Sequence, residues 1–353
     1  MTIFSSPAFE DHEGLHAFHD GPSGLNCLIA IHSTALGPAG GGVRMWPYAD
    51  DQAAIDDALR LSRAMSHKNA MAGIDFGGGK TVIIGDSHRD KSPALFEALG
   101  RAVESLGGRY WAAEDVGISP ADLAYARTQT RFVAGLEGHP AASGDPSPVT
   151  AEGVKRGIEL CVRRALGRSL SEVTVAIQGV GHVGAILADK LAAAGARLVI
   201  CDVGADAAAA VAARTGATVV SPDAIFDADA DVFAPCALGG AISAATLPRL
   251  KARIVAGGAN NQLVDAAAGQ VLFDSGVTYA PDFVINGGGI INVAGEIRAL
   301  NRGESFDPAW VEGKVAAMIG TLAEVLERSA SERRPADQIA VQMAKERIAA
   351  ARG

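Results

Sequence analysis

Six residues, Gly179-Val-Gly-His-Val-Gly184, constrain this chain most, because of what stands on either side of them. The apolar run Val173–Gln178 reads as a buried strand leading straight into the first glycine. His182–Ala194 reads as a helix that opens inside the glycine run, and Leu198–Cys201 as a second strand. That second strand ends at Asp202, 18 residues after the last glycine. In a strand–turn–helix–strand unit of this kind, glycines permit a tight turn and close approach of a pyrophosphate. The helix N-terminus meets its charge, and the carboxylate takes the ribose hydroxyls. The residues therefore predict a dinucleotide site. A carboxylate at 202 repels a 2′-phosphate, and no Arg or Lys stands between Asp202 and Arg214, so NAD is expected in preference to NADP.

Around this unit the strand–helix alternation continues. Thr150–Leu166 reads as a helix before it and Asp206–Thr215 as a helix after it. Short strands are expected at Val219–Val220, Val232–Ala234, Ile254–Ala256 and Thr278–Tyr279. Such alternation implies a doubly wound parallel sheet covered on both faces, a Rossmann domain. At 353 residues the chain is long for one core, so a second domain is expected. Gly135–Pro148, dense in Gly, Pro, Ser and Asp, reads as the crossover. The predicted division is a Rossmann domain over 141–329 and an N-terminal α/β domain over 1–140. Residues 330–353 are expected to return to the latter, as the end of a helical stretch over Pro308–Arg352. In the N-terminal part, Leu25–His32 and Thr81–Gly85 read as strands. Gln52–Ser66 reads as an amphipathic helix with Ile55, Leu59, Ser62 and Met65 on one face, an Asp56→Arg60 pair, and a stop at Gly73.

Net charge is −9 with acids and bases interspersed, which argues against nucleic acid or an anionic membrane as partner. No apolar run approaches the ~18 residues of a membrane span, and no secretory leader pattern opens the chain. The four cysteines form no CxxC and the eight histidines no metal spacing; reduced thiols, no metal and a cytoplasmic location are expected.

Chemistry concentrates at Lys68-Asn-Ala-Met-Ala-Gly-Ile-Asp-Phe-Gly-Gly-Gly-Lys80. Glycines let backbone and substrate approach, and a lysine crowded by another cation or desolvated loses basicity. One lysine could hold an anionic substrate while the other moves protons. A phosphate loop is excluded: that motif needs a glycine six residues before the lysine, where Ile74 stands.

Seven motifs, in order through nearly the whole chain, carry a resemblance. They are Gly37-Pro-Ala-Gly-Gly-Gly-Val-Arg44, Met65-Ser-His-Lys68-Asn, Gly77-Gly-Gly-Lys80, Ala113-Glu-Asp115-Val-Gly, Ala234-Pro-Cys-Ala-Leu, Ala259-Asn260-Asn261-Gln-Leu and Ala280-Pro-Asp-Phe-Val-Ile-Asn286-Gly-Gly-Gly. Together they resemble the amino-acid dehydrogenases acting on glutamate, leucine, phenylalanine and valine, nearest the leucine/phenylalanine branch. The resemblance implies a reversible, NAD-dependent oxidative deamination of an apolar L-amino acid to its 2-oxo acid and ammonium. It also implies a homo-oligomer, dimer or octamer, assembled through the N-terminal domain.

Residue by residue, the resemblance implies that Lys68 and Asn260 hold the substrate α-carboxylate. Lys80, its pKa lowered beside Lys68, activates the water that attacks the imine, and Asp115 exchanges protons with the amino group. Gly40, Gly41, Met65, Ala113, Ile290 and Val293 line the substrate pocket. Gly179, Val180, Gly181, His182, Val183, Gly184, Asp202 and Val203 hold the dinucleotide, with Arg44, Thr150, Ala237, Asn261 and Asn286 as further cofactor contacts.

Position 40 bears on substrate choice. Glutamate-specific relatives carry a lysine there, and Gly40 offers a second carboxylate no partner, a costly burial. Leucine enzymes carry a bulky apolar residue at this place, so Gly40 is expected to leave extra room. Branched-chain amino acids are placed ahead of phenylalanine, which stays open. Two other classes compete: a silent NAD-binding regulator, which would lack a lysine or Asp115, and a 2-hydroxy-acid dehydrogenase, which would need a catalytic histidine.

Overall fold

The structure is a computed structural model that describes residues 3–352. The chain divides into two compact units: Met1–Gly144 with Asn292–Val311 and Ala344–Gly353, and Asp145–Ile291 with Glu312–Met343. The return to the first unit is thus in two pieces, 292–311 and 344–353, where the sequence placed one piece beginning at 330.

The first unit is built on a five-stranded mixed sheet of β1 (Gly14–Asp20), β2 (Leu25–Ser33), β3 (Ala39–Trp46), β4 (Gly77–Ile84) and β5 (Tyr110–Glu114), in the order β1-β2-β4-β3-β5. β1, β2 and β4 pair antiparallel, and β3 pairs parallel with both β4 and β5. Helix α1 (Asp51–Ala72) lies over one face, where Ala54 and Ala58 meet Ala30 and Val82. Helices α2 (Pro93–Glu104) and α3 (Pro120–Arg127) belong to the core on the other face, with Leu95, Phe96, Leu99 and Leu123 against Leu25, Ile29, Ile31 and Ile83. Asp50 caps α1 by accepting from Ala53 N, and Gly73 ends it in the left-handed region at φ 64°, the expected stop.

Two details depart from the sequence reading. β4 begins at Gly77, not Thr81, so the glycine run is central strand rather than flexible approach. The glycines are there because the neighbours are too close for any side chain. A Cβ on Gly78 would lie 2.1 Å from Ser66 N of α1, and one on Gly79 2.7 Å from the Tyr110 ring. The expected Asp56→Arg60 pair is replaced by Arg60 to Asp57 at 2.5 Å, while Asp56 accepts from Ser6 and Gln52. An i,i+3 partner reaches as well as an i,i+4 one, and Asp57, its side chain 15% exposed, is the carboxylate that Arg60 neutralises.

The second unit holds α4 (Ser147–Leu166), β6 (Thr174–Gln178), α5 (His182–Ala193), β7 (Arg197–Cys201), α6 (Ala205–Thr215), β8 (Thr218–Val219), β9 (Val232–Pro235), β10 (Ile254–Val255), α7 (Ala266–Asp274), β11 (Thr278–Tyr279) and α8 (Asp282–Ile285). Its six strands run parallel in the order β11-β10-β9-β6-β7-β8, with the strand order reversing between β6 and β9. This is the doubly wound arrangement, and its ligand crevice lies beyond the carboxyl ends of β6 and β9. Helix α9 (Gly288–Arg302), α10 (Pro308–Glu332) and α11 (Ala336–Ala350) complete the chain, α10 and α11 being separated at Arg333, φ 53°. Among the described residues, no helix is long and apolar enough to cross a membrane.

Candidate active site

In the first unit, strand alternation decides which side chains meet. Gly78, Lys80 and Val82 of β4 face α1, and so do Gly42 and Arg44 of the adjoining β3. Lys80 is 4% exposed, and its Nζ donates to Asp115 Oδ2 at 2.7 Å. Arg44 Nε donates to the same oxygen at 2.9 Å. The approach depends on Gly42: a Cβ there would lie 2.7 Å from Asp115 Cβ and 3.1 Å from Lys80 Nζ. Beneath, Tyr110 Oη donates to Gly41 O at 2.9 Å and accepts from Thr81 Oγ1.

Burial drives the Lys80 ammonium below its ordinary pKa, with Asp115 opposing and Arg44 adding to the fall. Arg44 is thus a cation that presses on Lys80, a part the sequence reading gave to Lys68 alone. Burial pushes the Asp115 carboxyl up, and Lys80 and Arg44 together outweigh it, so its pKa ends lowered. The result is a buried ammonium and a carboxylate sharing a short contact, each poised to exchange a proton with a ligand.

Lys68 is half-buried on α1, in the turn fastened to β4 by Asn69 Nδ2 donating to Gly77 O at 2.5 Å. Met65 is half-buried and Ala113 buried. The room expected over Gly40 is narrowed at its start by the Phe76 ring, which lies 3.3 Å from the position of a residue-40 Cβ. Phe76 joins Val293, Trp111, Phe132 and Ile297 in one apolar cluster of this unit.

In the second unit the glycine turn has the shape its spacing requires. Gly179 adopts φ 92°, and its N–H donates to Cys201 O at 2.8 Å. A Cβ on Gly184 would lie 2.0 Å from Gly179 O, so the third glycine lets α5 pack onto the turn. A Cβ on Gly181 would meet nothing within 4 Å. That is open space over the turn, the room a pyrophosphate needs. Asp202 accepts from Val180 N and Gly204 N at 2.8 Å each, which fixes the carboxylate beside the turn with lone pairs to spare. Val203 beyond it is 95% exposed, and Val183 and His182 open α5.

Across the switch point, Ala237 packs against Gly179. Its neighbour Leu238, the last residue of the Ala234-Pro-Cys-Ala-Leu motif, is 88% exposed and has no role assigned from the sequence. Asn286 Nδ2 donates to Asn260 Oδ1 at 2.8 Å, and its own Oδ1 is buried with no partner among the described residues. Asn261 sits at φ 52°, its carbonyl accepting from Gly240 N. Thr150 donates to Pro146 O and stands against Gly289, one residue before Ile290 on α9. The open turn, the fixed carboxylate and the orphaned amide oxygen fit a dinucleotide. Arg44 belongs to the first unit, and its Nε and Nη1 are given to Asp115 and Asp57. Among the described residues no group of His, Cys, Asp and Glu could hold a metal ion.

Comparisons with known proteins agree with this geometry. Residues 16–132 match the Glu/Leu/Phe/Val dehydrogenase dimerisation domain, and residues 205–353 the Glutamate/Leucine/Phenylalanine/Valine dehydrogenase domain. A leucine dehydrogenase of Thermoactinomyces intermedius is 46% identical over 99% of this chain and 94% of its own length. A phenylalanine dehydrogenase of Lysinibacillus sphaericus is 44% identical over 83% of this chain and 78% of its own. The crystal structure of an L-tryptophan dehydrogenase from Nostoc punctiforme superposes with a TM-score of 0.85 at 37% identity, covering 97% of each chain. With both domains matched in order and full-length relatives at this identity, the chain belongs to the Glu/Leu/Phe/Val dehydrogenase family.

Proposed function

We propose that this protein catalyses the reversible oxidative deamination of an apolar L-amino acid of the leucine, valine and isoleucine type to the 2-oxo acid and ammonium, with NAD as acceptor. The observation that carries the reading is the buried Lys80 Nζ set 2.7 Å from Asp115 Oδ2. In the forward direction Asp115 takes a proton from the substrate ammonium. Bound NAD supplies the acceptor for the hydride leaving the substrate Cα. Lys80, its basicity reduced by burial, takes a proton from the water that adds to the resulting substrate imine, and returns it as ammonia departs. Lys68 supplies the cation for the α-carboxylate and Asn260 an amide donor. Gly179–Gly184, Asp202, Val203, Ala237, Asn261, Asn286 and Thr150 hold the dinucleotide, and Asp202 sets the preference against a 2′-phosphate. Gly40, Gly41, Met65, Ala113, Ile290 and Val293 belong to the substrate pocket. The match of 16–132 to a dimerisation domain supports a homo-oligomer.

Phenylalanine is the second reading, favoured by the phenylalanine dehydrogenase relative. The test is NADH consumption with a panel of 2-oxo acids, with and without ammonium, repeated with NADPH. Ammonium-dependent turnover, fastest with branched-chain oxo acids and at least tenfold slower with NADPH, is expected. Turnover without ammonium, or none with any oxo acid, overturns the assignment. A Lys80→Ala variant that kept its kcat would sink the role of Lys80.

A further inference from the structure

The carboxylate of Asp57 sits in the same unit, on the second turn of α1, and is hydrogen-bonded to neither Lys80 nor Asp115. It is nevertheless tied to both. Arg44 Nη1 donates to Asp57 Oδ2 at 3.1 Å while Arg44 Nε donates to Asp115 Oδ2 at 2.9 Å, so one guanidinium spans two carboxylates. Asp57 is itself held from two sides: Tyr48 Oη donates to Oδ2 at 2.7 Å and Arg60 Nη2 to Oδ1 at 2.5 Å. Its side chain is 15% exposed and that of Arg44 23%, so water screens the set weakly.

We propose that Asp57, oriented by Tyr48, is a positioning residue for the proton-transfer pair: it pins the Arg44 guanidinium so that only Nε reaches Asp115. The inference rests on the proposed roles of Lys80 and Asp115. A guanidinium can offer a carboxylate two parallel N–H groups, and that fork is its preferred geometry when only one carboxylate is near. With Nη1 held by Asp57, the plane of the guanidinium is fixed at the angle in which Nε alone is bonded to Asp115, and a turn toward the Nε/Nη2 fork would break the Asp57 bond. Arg44 and Lys80 both land on Oδ2, and Oδ1 carries neither of these bonds. Asp115 is then left able to take a proton from a substrate ammonium, instead of being locked across both oxygens.

Asp57 also sets the charge balance. Among the charged and titratable groups on the packed elements are Arg44 from β3, Lys80 from β4, Tyr110 and Glu114 from β5, and Asp115 just beyond it, with Asp51, Asp56, Arg63 and His67 elsewhere along α1. Asp57, Arg60 and Lys68 come from α1, and Tyr48 from the loop before it. Asp57 opposes the fall in Lys80 basicity and raises the hold on the Arg44 charge. Removing its charge leaves Lys80 facing Arg44 with less compensation, and Lys80 becomes a weaker base.

The experiment compares Asp57→Asn, Asp57→Glu and Tyr48→Phe with the parent in the oligomeric holoenzyme. The kcat and KM for oxidative deamination are measured across pH, with melting temperature as a check on folding. For Asp57→Asn the plateau kcat falls about tenfold, the KM for the amino acid changes less than threefold, and the acid limb of the kcat profile moves down by about half a pH unit or more. Asp57→Glu restores the limb to within 0.2 unit, and Tyr48→Phe lowers kcat two- to threefold with the limb in place. A parent-like plateau and limb in Asp57→Asn, or a lowered melting temperature with the limb unmoved, overturns the proposal. A parent enzyme that deaminates no amino acid overturns the functional reading instead, before any variant is compared.

Discussion

Three histidines of the first unit are packed where a proton is expensive, and their cost can be worked from the structure. His12 and His32 rings stand with centroids 4.8 Å apart, and His32 and His67 6.2 Å apart. His12 Nε2 donates to Leu59 O while its Nδ1 accepts from Glu10 N, which commits it to the neutral form. Burial, then the neighbouring His12, His67 and Arg63, push His32 down to about 3. Burial, then Lys345 and Arg63, push His67 down to about 4. An unfolded histidine titrates near 6.5, so below that pH the unfolded chain binds protons that the folded chain refuses, and stability falls as pH falls. At pH 5 each of His32 and His67 costs about 2 kcal/mol, so the pair removes about 4 kcal/mol relative to a histidine-free core, almost all of it lost between pH 7 and 5. The site carboxylates Asp57 and Asp115, whose pKa values are lowered, lose their partners only at still lower pH, which leaves this window to the histidines. Urea midpoints at pH 7 and pH 5, at one protein concentration, measure the loss. His67→Gln should return about half of the share owed to this pair, and a His32→Asn, His67→Gln double variant nearly all of that share, with His12 keeping its own. A double variant as acid-labile as its parent would refute the reasoning.

Three further outcomes follow from close contacts. Gly184→Ala places a Cβ 2.0 Å from Gly179 O and should raise the NAD KM more than a hundredfold, whereas Gly181→Ala, whose Cβ meets no atom, should leave the melting temperature within a degree and raise the NAD KM about tenfold; coenzyme titrations and thermal melts separate the two. Glu296 is fully buried and accepts from Gly135 N, Leu136 N, Ser143 N and Ser143 Oγ at 2.7–3.0 Å. Glu296→Gln turns an N–H toward two of those donors and should cost about 2–4 kcal/mol in urea unfolding, with faster proteolysis within residues 135–143. Phe76→Ala, which clears the space above Gly40, should raise kcat/KM for phenylalanine relative to leucine by about tenfold or more, read as a ratio in one assay.

The second unit is largely legible in the chain, because its signals are local. A strand, three glycines at fixed spacing, a helix and an acidic residue lie within thirty residues, and the contacts they make in the structure are with each other: Gly184 on Gly179, Asp202 on Val180. Lys80 and Asp115 are legible as residue types within motifs. Their company is not. Arg44, Tyr48 and Asp57 converge because β3 lies between β4 and β5 and α1 folds back over β3 and β4, a strand order that no spacing in the sequence records. Asp57 in particular has the helical position of an ordinary solvated charge. Glu296 is hidden for the same reason: its four donors lie more than 150 residues away in the chain.

Gly40 shows how a local reading can be sound and still mislead. A missing side chain implies a space only if nothing from elsewhere fills it, and close-packed interiors rarely leave one. Here the filling group comes from a residue 36 positions later. β3 and β4 are paired with Gly40 opposite Gly78, so the residue just before β4, Phe76, arrives over Gly40. Its ring continues into the cluster with Trp111 and Val293. The wall that a bulky residue 40 would supply is thus supplied by residue 76, just ahead of the adjoining strand. Volume is conserved while its owner changes, which is the kind of exchange that cores tolerate best. On this account Gly40→Leu, though it restores the side chain leucine enzymes carry, would collide with the ring of Phe76. Only the paired change Gly40→Leu with Phe76→Ala should recover the stability and the aliphatic preference of the parent.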